Sequence, residues 1–397
     1  ERVALMNLEN LLSQRTVSLK PSGIRKFFDI ANEMEGVIAL GVGEPDFKTP
    51  YSVRQAGIEN LQQGKTRYSA NAGLMELRRA ICDYLKRKFN LEYDKKSEVV
   101  VTVGGSEAID LAIRAFINPG DEVLVPEPCF VCYAPIVTLT SGVPVSIRTR
   151  EEDEFRLTPE QLEAAITSKT KMLILPYPNN PTGAVMRREH LEAIAEVLKK
   201  HDIIVLSDEI YAELTYNGRH TSIAELPGMK ERTIVVNGFS KTFAMTGWRL
   251  GYAVGPAPAI KQMTKIHQYA IMCAPTTSQY AAIEALDHCE ENICQMREEY
   301  DRRRRFVVDA FNKMGLHTFE PEGAFYVFPC IKNTGMGSEE FCEKLLYGKK
   351  VAVVPGNAFG DSGEGYIRVS YSYSVQHLTA ALKRIREFLS ELPGYHL

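Results

Sequence analysis

Lys241 and Arg249 stand among small, hydroxylic and apolar residues in "NGFSKTFAMTGWRLGY" (237–252). Lys241 follows a β-like run from Thr233 to Val236 and is flanked by Ser240 and Thr242. A strongly hydrated cation in that setting has three readings: a stem packed at a strand end with its head in water, a phosphate clamp, or a reactive amine. A nucleotide P-loop needs glycine directly before the lysine and again five residues earlier. Ser240 and Val235 hold those positions, so that motif fails. A hydride-transfer site is equally poorly served, because the glycine turn "VGGSEAI" (103–109) lacks G-x-G-x-x-G spacing. A reactive amine remains, since a lysine at a dry strand end can form a Schiff base with an aldehyde.

The elements that must carry such a site alternate along the chain. Strands are predicted from Val99 to Val103, Glu122 to Val125, Lys171 to Leu175, Ile203 to Leu206 and Thr233 to Val236. Helical patterns fall between them, among them Ser106 to Phe116 and Arg188 to Lys200. Alternation of this kind predicts an α/β fold: a large domain with a mostly parallel sheet flanked by helices, here 48–285. The last hundred or so residues change character, with a long helix predicted from Ala281 to Lys313 and strands at Ala324 to Phe328 and Val351 to Val354. They predict a smaller α/β domain of residues 286–397 joined by the N-terminal segment 1–47.

Sheets of this class bind ligands outside the carboxyl ends of their strands. The predicted strands are followed in turn by "GGSEA", "PEPCFVCY", "PYPNNPTG", "SDEIY" and "NGFSK". Such a rim meets the demands of pyridoxal 5′-phosphate (PLP), the aldehyde that proteins most often join to a lysine. Backbone N–H groups of Gly105, Ser106 and Glu107 at a helix start suit a phosphate, as do the Ser240 hydroxyl and the Arg249 cation. Asp208 is placed to keep a ring nitrogen protonated. Asn180 and Tyr211 suit the phenolic oxygen, and Phe130 or Tyr133 can stack on the ring. Taken singly, Asp208 also fits a helix cap, Asn180 an Asn-Pro turn, and Phe130 the core.

In order along the chain, the motifs are "GVGEPDF" (41–47), "RYSANAGLMELRRAI" (67–81), "VTVGGSEAI" (101–109), "PNNPTG" (178–183), "SDEIY" (207–211), "FSKTFAMTGWRLGY" (239–252), "PEGAFYVF" (321–328), "VPGNAFG" (354–360) and "GYIRVSY" (365–371). This ordered set resembles the class I/II, fold type I PLP-dependent aminotransferases, the family of aspartate aminotransferase. The resemblance implies that Lys241 is the Schiff-base lysine, that Asp208 partners the pyridine nitrogen, and that Tyr211 and Asn180 bond the phenolic oxygen. It implies a phosphate held by Gly105, Ser106, Glu107, Ser240 and Arg249, with Phe130 on the ring. Arg368 would grip the substrate α-carboxylate, with help from Asn180, and Gly43 would let the N-terminal segment close over the substrate. The family shares its sites across a homodimer, which implies that Tyr68 reaches the phosphate of the partner subunit. One departure stands out: many relatives carry a hydroxyl residue three positions before the lysine, where this chain has Gly238.

The activity so implied moves an amino group from an L-amino acid to a 2-oxo acid by ping-pong kinetics, with Lys241 as the proton carrier. A C–S lyase or other carbon–nitrogen or carbon–sulfur chemistry on the same fold uses the same motifs. A PLP-binding regulator without turnover is the third reading, and the retained Lys241, Asp208 and Arg368 favour catalysis over it. No DNA-binding module is expected ahead of the enzyme-like part. Substrate specificity and pathway stay open, with amino-acid metabolism or biosynthesis as the setting; Arg25, beside Ile24 and Phe28, fits a distal carboxylate or a solvated helix position.

Bulk properties narrow the remaining classes. With 47 basic and 50 acidic side chains the net charge is −3, which gives no reason to expect nucleic acid. The run Arg302-Arg303-Arg304-Arg305 follows several glutamates in a helical pattern and predicts a solvated, salt-bridged face. Eight scattered cysteines suit reduced thiols in a cytoplasmic protein, and the lone Cys129-x-x-Cys132 lacks the second pair or histidines of a metal site. No metal is expected, and no stretch reaches the roughly 18 apolar residues of a membrane span.

Overall fold

A computed structural model describes residues 6–397. Seven strands form its central sheet: β1 (Val99–Thr102), β2 (Glu122–Glu127), β3 (Val143–Arg148), β4 (Thr170–Leu175), β5 (Ile204–Asp208), β6 (Thr233–Gly238) and β7 (Gly251–Val254). Their spatial order is β1-β7-β6-β5-β4-β2-β3. Neighbours are parallel except at β7, which is antiparallel to both β1 and β6.

Helices cover both faces, so strand residues are buried whichever way they point. Val99 and Val101 of β1 enter one apolar cluster while Val100 enters another. In β4, Leu173 and Leu175 face one cluster and Met172 and Ile174 the opposite one. Two-sided burial explains why these strands read as continuous apolar runs rather than as alternating ones. It also explains why β3, half exposed at the sheet edge, carried too weak a signal to be predicted.

The reversed strand β7 has a functional consequence. Its amino end, Gly251, pairs with Gly238 at the carboxyl end of β6 and with Thr102 at the carboxyl end of β1. The segment entering β7, which contains Arg249, therefore arrives at the same rim as the segments leaving β1 and β6.

A further apolar cluster joins Phe27 and Leu40 to Tyr300, Phe311, Phe325, Val351, Ile367 and Leu389. The predicted strand Val351 to Val354 divides: Val351–Ala352 pairs in parallel with Ile38–Ala39, and Val354–Pro355 pairs antiparallel with Ile367–Ser370. Of Ala324 to Phe328, only Tyr326–Val327 is strand, pairing on the other edge of Ile367–Ser370. The first division ties the N-terminal segment to the C-terminal one.

Two helical expectations need correction. The predicted helix Ala281 to Lys313 is two helices, Thr276–His288 and Glu290–Lys313, which meet at Cys289. Cys289 is buried in the packed interior and its backbone leaves helical geometry, with no glycine or proline to signal the break. In the basic run, Arg302 and Arg305 are solvated but Arg303 and Arg304 are buried. Arg303 bonds Asp46 at 2.9 Å and Glu299 at 3.0 Å, and Arg304 bonds Asp301 at 2.7 Å and Glu320 at 2.9 Å. Buried charges need such partners, and the Arg303–Asp46 pair anchors the "GVGEPDF" segment against the long helix. Among the described residues, no helix is long and apolar enough to cross a membrane.

Candidate active site

A cavity of about 370 Å³ opens at the rim where β1, β2, β4, β5 and β6 end. Gly43, Gly105, Ser106, Phe130, Asn180, Asp208, Tyr211, Ser240, Lys241, Arg249 and Arg368 all line it. These come from segments as far apart as residues 43 and 368, which the sheet order and the two terminal strands bring together.

Lys241 leaves the end of β6 and its Nζ donates to the carbonyl oxygen of Gly43. Burial lowers its pKa to about 8; Glu44 and Asp208 oppose that shift, whereas the cations Arg368 and Arg249 add to it. A lysine so placed is partly neutral near pH 8 and therefore nucleophilic. Gly43 admits no side chain, because a Cβ there would lie 2.9 Å from the Tyr326 hydroxyl.

Asp208, the last residue of β5, is buried. Its Oδ2 accepts a 2.5 Å hydrogen bond from the Tyr133 hydroxyl, and its Oδ1 accepts from the Ile210 N–H at 3.3 Å. Burial pushes the carboxyl up from its usual range, against the pull of those donors. A buried carboxylate without a cation is costly, and a protonated ring nitrogen would relieve that cost. Tyr133 thus belongs to the site as the partner of Asp208, while Phe130 lines the wall in edge contact with it.

Arg368 is 4 % exposed. Nη1 donates to Asn180 Oδ1 at 2.9 Å and Nη2 to the Gly41 carbonyl at 2.6 Å. Its guanidinium lies over the rings of Tyr326 and Phe359, with centroids at 4.5 and 4.8 Å. Nε is buried without a hydrogen-bond partner among the described residues. An orphaned donor on a buried cation is what a carboxylate ligand would satisfy. Asn180 is therefore more than a turn residue.

Tyr211 meets Tyr326 hydroxyl to hydroxyl at 2.9 Å, and burial pushes the Tyr211 phenol well up. Tyr326 thus touches three site residues, yet in sequence it is one more apolar position in "PEGAFYVF". No local signal marks it, since Tyr326 and Val327 are both buried in one apolar cluster. Ile24 and Phe28 also line the cavity, whereas Arg25 is exposed and does not.

The end of the cavity at the start of the Gly104–Phe116 helix is built by close backbone approach. Gly104, which opens the Gly104–Phe116 helix, has φ +71°, and a Cβ on it would lie 2.5 Å from Arg249 Nη2. Gly251 packs against the same turn, where a Cβ would meet the Gly104 carbonyl carbon and the Gly105 nitrogen at 2.6 Å. Arg249 itself has φ +51° and donates to the Thr246 carbonyl at 2.9 Å. Among the described residues Arg249 has no carboxylate partner, so a cation and helix-start amides face one spot. Ser240 and Ser106 line the same cavity.

Three sequence expectations fare differently. Glu107 does not line the cavity: its carboxylate turns back to the Val103 N–H and to His267, leaving only its main chain toward a phosphate. Tyr68 is 81 % exposed and outside this cavity. At Gly238 the missing hydroxyl has a steric cause, since a Cβ would come within 3.0 Å of the Gly251 Cα and 3.1 Å of the Leu250 carbonyl.

The family model for "Aminotransferase class I and II" matches residues 35–385. A putative aminotransferase, YugH, of Bacillus subtilis (strain 168) is 55% identical over 96% of this chain and 99% of its own length. An aspartate aminotransferase of Pyrococcus abyssi is 49% identical over 96% of this chain and 98% of its own. The crystal structure of an aromatic aminotransferase from Pyrococcus horikoshii superposes with a TM-score of 0.88 at 48% identity, covering 92% of this chain and 99% of that one. An enzyme that transfers amino groups with PLP as its cofactor accounts for both the likeness and the geometry, and the chain belongs to the class I and II aminotransferases.

Proposed function

We propose that Lys241, Asp208 and Tyr211 carry the reaction, and that Gly105, Ser106, the Glu107 main chain, Phe130, Asn180, Ser240 and Arg249 complete the cofactor site. The observation that carries this is the convergence of three cations, Lys241, Arg249 and Arg368, none ion-paired among the described residues, on one cavity with the buried Asp208. PLP, when bound, supplies the sink for the electron pair left behind when the substrate's α-proton is removed.

The protein's own groups do the rest. Arg368 holds the α-carboxylate through its planar fork, with Asn180 keeping that fork in place. The Lys241 amine would hold the cofactor covalently at rest; once the substrate's amino group has taken its place there, the freed amine would carry the α-proton from the substrate to the cofactor side. Asp208, fixed by Tyr133, retains the proton on the ring nitrogen. Tyr211 bonds the phenolic oxygen, and Gly43 brings the N-terminal segment down to exclude water.

The same proposal reads 48–285 as the large domain and 1–47 with 286–397 as the small one, supported by the apolar cluster that joins Phe27 and Leu40 to the C-terminal residues. It places the protein in the cytoplasm as a homodimer with Tyr68 reaching the partner's phosphate site; the eight free cysteines and the exposed Tyr68 support this. The purified protein is expected to show a visible absorbance that borohydride shifts irreversibly. Lys241→Ala should abolish it, and an unchanged spectrum in that variant would overturn the assignment.

A further inference from the structure

Glu107 and His267 form a pair that none of the proposed roles uses. Glu107 lies in the first turn of the Gly104–Phe116 helix, and His267 on the Ala257–Ala270 helix packed beside it. His267 is fully buried, with Nδ1 2.7 Å from Glu107 Oε2. Its Nε2 is buried too and has no hydrogen-bond partner among the described residues. The second carboxylate oxygen, Glu107 Oε1, accepts from the Val103 N–H at 2.7 Å. Val103 is the residue at which the chain turns from β1 into the helix. One carboxylate therefore bridges that turn to a second helix.

The turn is held on its other side as well. Thr102 Oγ1 donates to the Gly104 carbonyl at 2.8 Å, Gly251 packs on the Gly104–Gly105 peptide, and Arg249 covers Gly104. Amides that must face a ligand need the rest of the turn fixed from behind. Glu107 also has an electrostatic problem to solve. A carboxylate in a helix's first turn suits the dipole, but a free one would repel a phosphate dianion at the same end. Directing both oxygens into hydrogen bonds away from the cavity lessens that repulsion. A buried imidazole that uses only one nitrogen is accounted for by this contact, since packing alone would favour an apolar side chain.

We propose that Glu107 and His267 are positioning residues for the phosphate end of the site: His267 fixes Glu107, and Glu107 fixes the Val103 turn that presents the Gly105 and Ser106 amides. This rests on the reading of that helix start as the phosphate site.

The test compares dissociation constants of PLP and of pyridoxal, which lacks the phosphate, on the cofactor-free protein, with thermal melts alongside. Glu107→Ala and His267→Phe are expected to weaken PLP about tenfold, the worth of one charge-assisted hydrogen bond, and pyridoxal less than about twofold. Glu107→Gln keeps an acceptor for the Val103 N–H and should stay within about threefold of the parent. If Glu107→Ala does not fold, His267→Phe reads the same arm, because it leaves the Val103 contact in place and removes only its anchor. Equal losses for both ligands, or unchanged PLP binding, overturn the proposal. Arg249→Ala separates the two levels. If it fails to weaken PLP selectively, the phosphate reading itself falls; if it succeeds where the Glu107 and His267 variants do not, only the positioning proposal falls.

Discussion

At the scale of single residues, the site is a set of charges kept from satisfying one another. Lys241 bonds a carbonyl, Arg368 an amide oxygen and a carbonyl, and Arg249 a carbonyl, although Asp208 and Glu44 line the same cavity. That arrangement stores a cost in the cofactor-free protein, and the cost has a pH signature. The folded-state pKa of Lys241, about 8, lies below its ordinary value of 10.5. Between those values the unfolded chain binds more protons than the folded one, so stability rises with pH across this window. Below pH 8 the full penalty is present; above about 10.5 it is gone. Lys241→Met should therefore stabilise the cofactor-free protein at pH 7 by about 1–2 kcal/mol after allowance for partial solvent screening, and should flatten the rise between pH 8 and 10. Denaturant melts across that range check it, and a variant that loses stability at pH 7 would show that the amine is not the strained group.

At the scale of elements, the reversed strand β7 decides the geometry of the proposed phosphate end. Gly238 and Gly251 face each other across β6 and β7, and Gly251 in turn presses on the Gly104–Gly105 peptide. Three backbones thus meet where side chains would keep them apart. Restoring the hydroxyl usual in many relatives, Gly238→Ser, should not strengthen cofactor binding. Its Cβ would stand 3.0 Å from the Gly251 Cα and 3.1 Å from both the Leu250 carbonyl and Ile210 Cδ1. Overpacking of this kind costs about 1–3 kcal/mol, which calorimetry should register as a lower Tm together with weaker PLP retention. Tighter PLP binding in that variant would mean the strands can part to admit the hydroxyl. The sequence made most of the sheet's strands legible because two-sided burial writes them as unbroken β-branched runs, such as Val99–Thr102. It did not show β7, whose first two residues, Gly251 and Tyr252, close a motif read for its chemistry, nor the break at Cys289, which tertiary packing imposes without a glycine or proline. Residues whose chemistry is distinctive, such as Lys241, Asp208 and Arg368, could be brought to one cavity from their place after a strand or in a motif. Tyr326 and the Glu107–His267 pair could not, because their roles depend on contacts between segments far apart in the chain.

At the scale of the whole molecule, one chain leaves the proposed phosphate end open to solvent. Arg249 and Ser106 are exposed there, and Tyr68 projects into solvent elsewhere on the surface. Tyr51, Ile58 and Leu61, on the helix Tyr51–Gln62, are exposed as well, as is Tyr269. Scattered exposed apolar residues need no explanation, but several on one helix suit an interface. If two subunits share their sites, a hydroxyl from one chain completes the phosphate pocket of the other, and an isologous dimer makes the exchange reciprocal. Mixing two crippled variants then has a distinctive outcome. A subunit carrying Lys241→Ala still donates a normal Tyr68, and a subunit carrying Tyr68→Ala still holds a normal Lys241. Their hybrid has one site lacking both groups and one site lacking neither. Random reassociation of equal amounts should restore activity to about a quarter of the parent's, since half the dimers are hybrids with one intact site of two. Recovery should follow the subunit exchange rate and disappear when the two variants are mixed without dissociation. If the mixture shows only the average of its parents, Tyr68 acts within its own subunit or not at all, and the shared-site reading fails while the assignment of Lys241 stands.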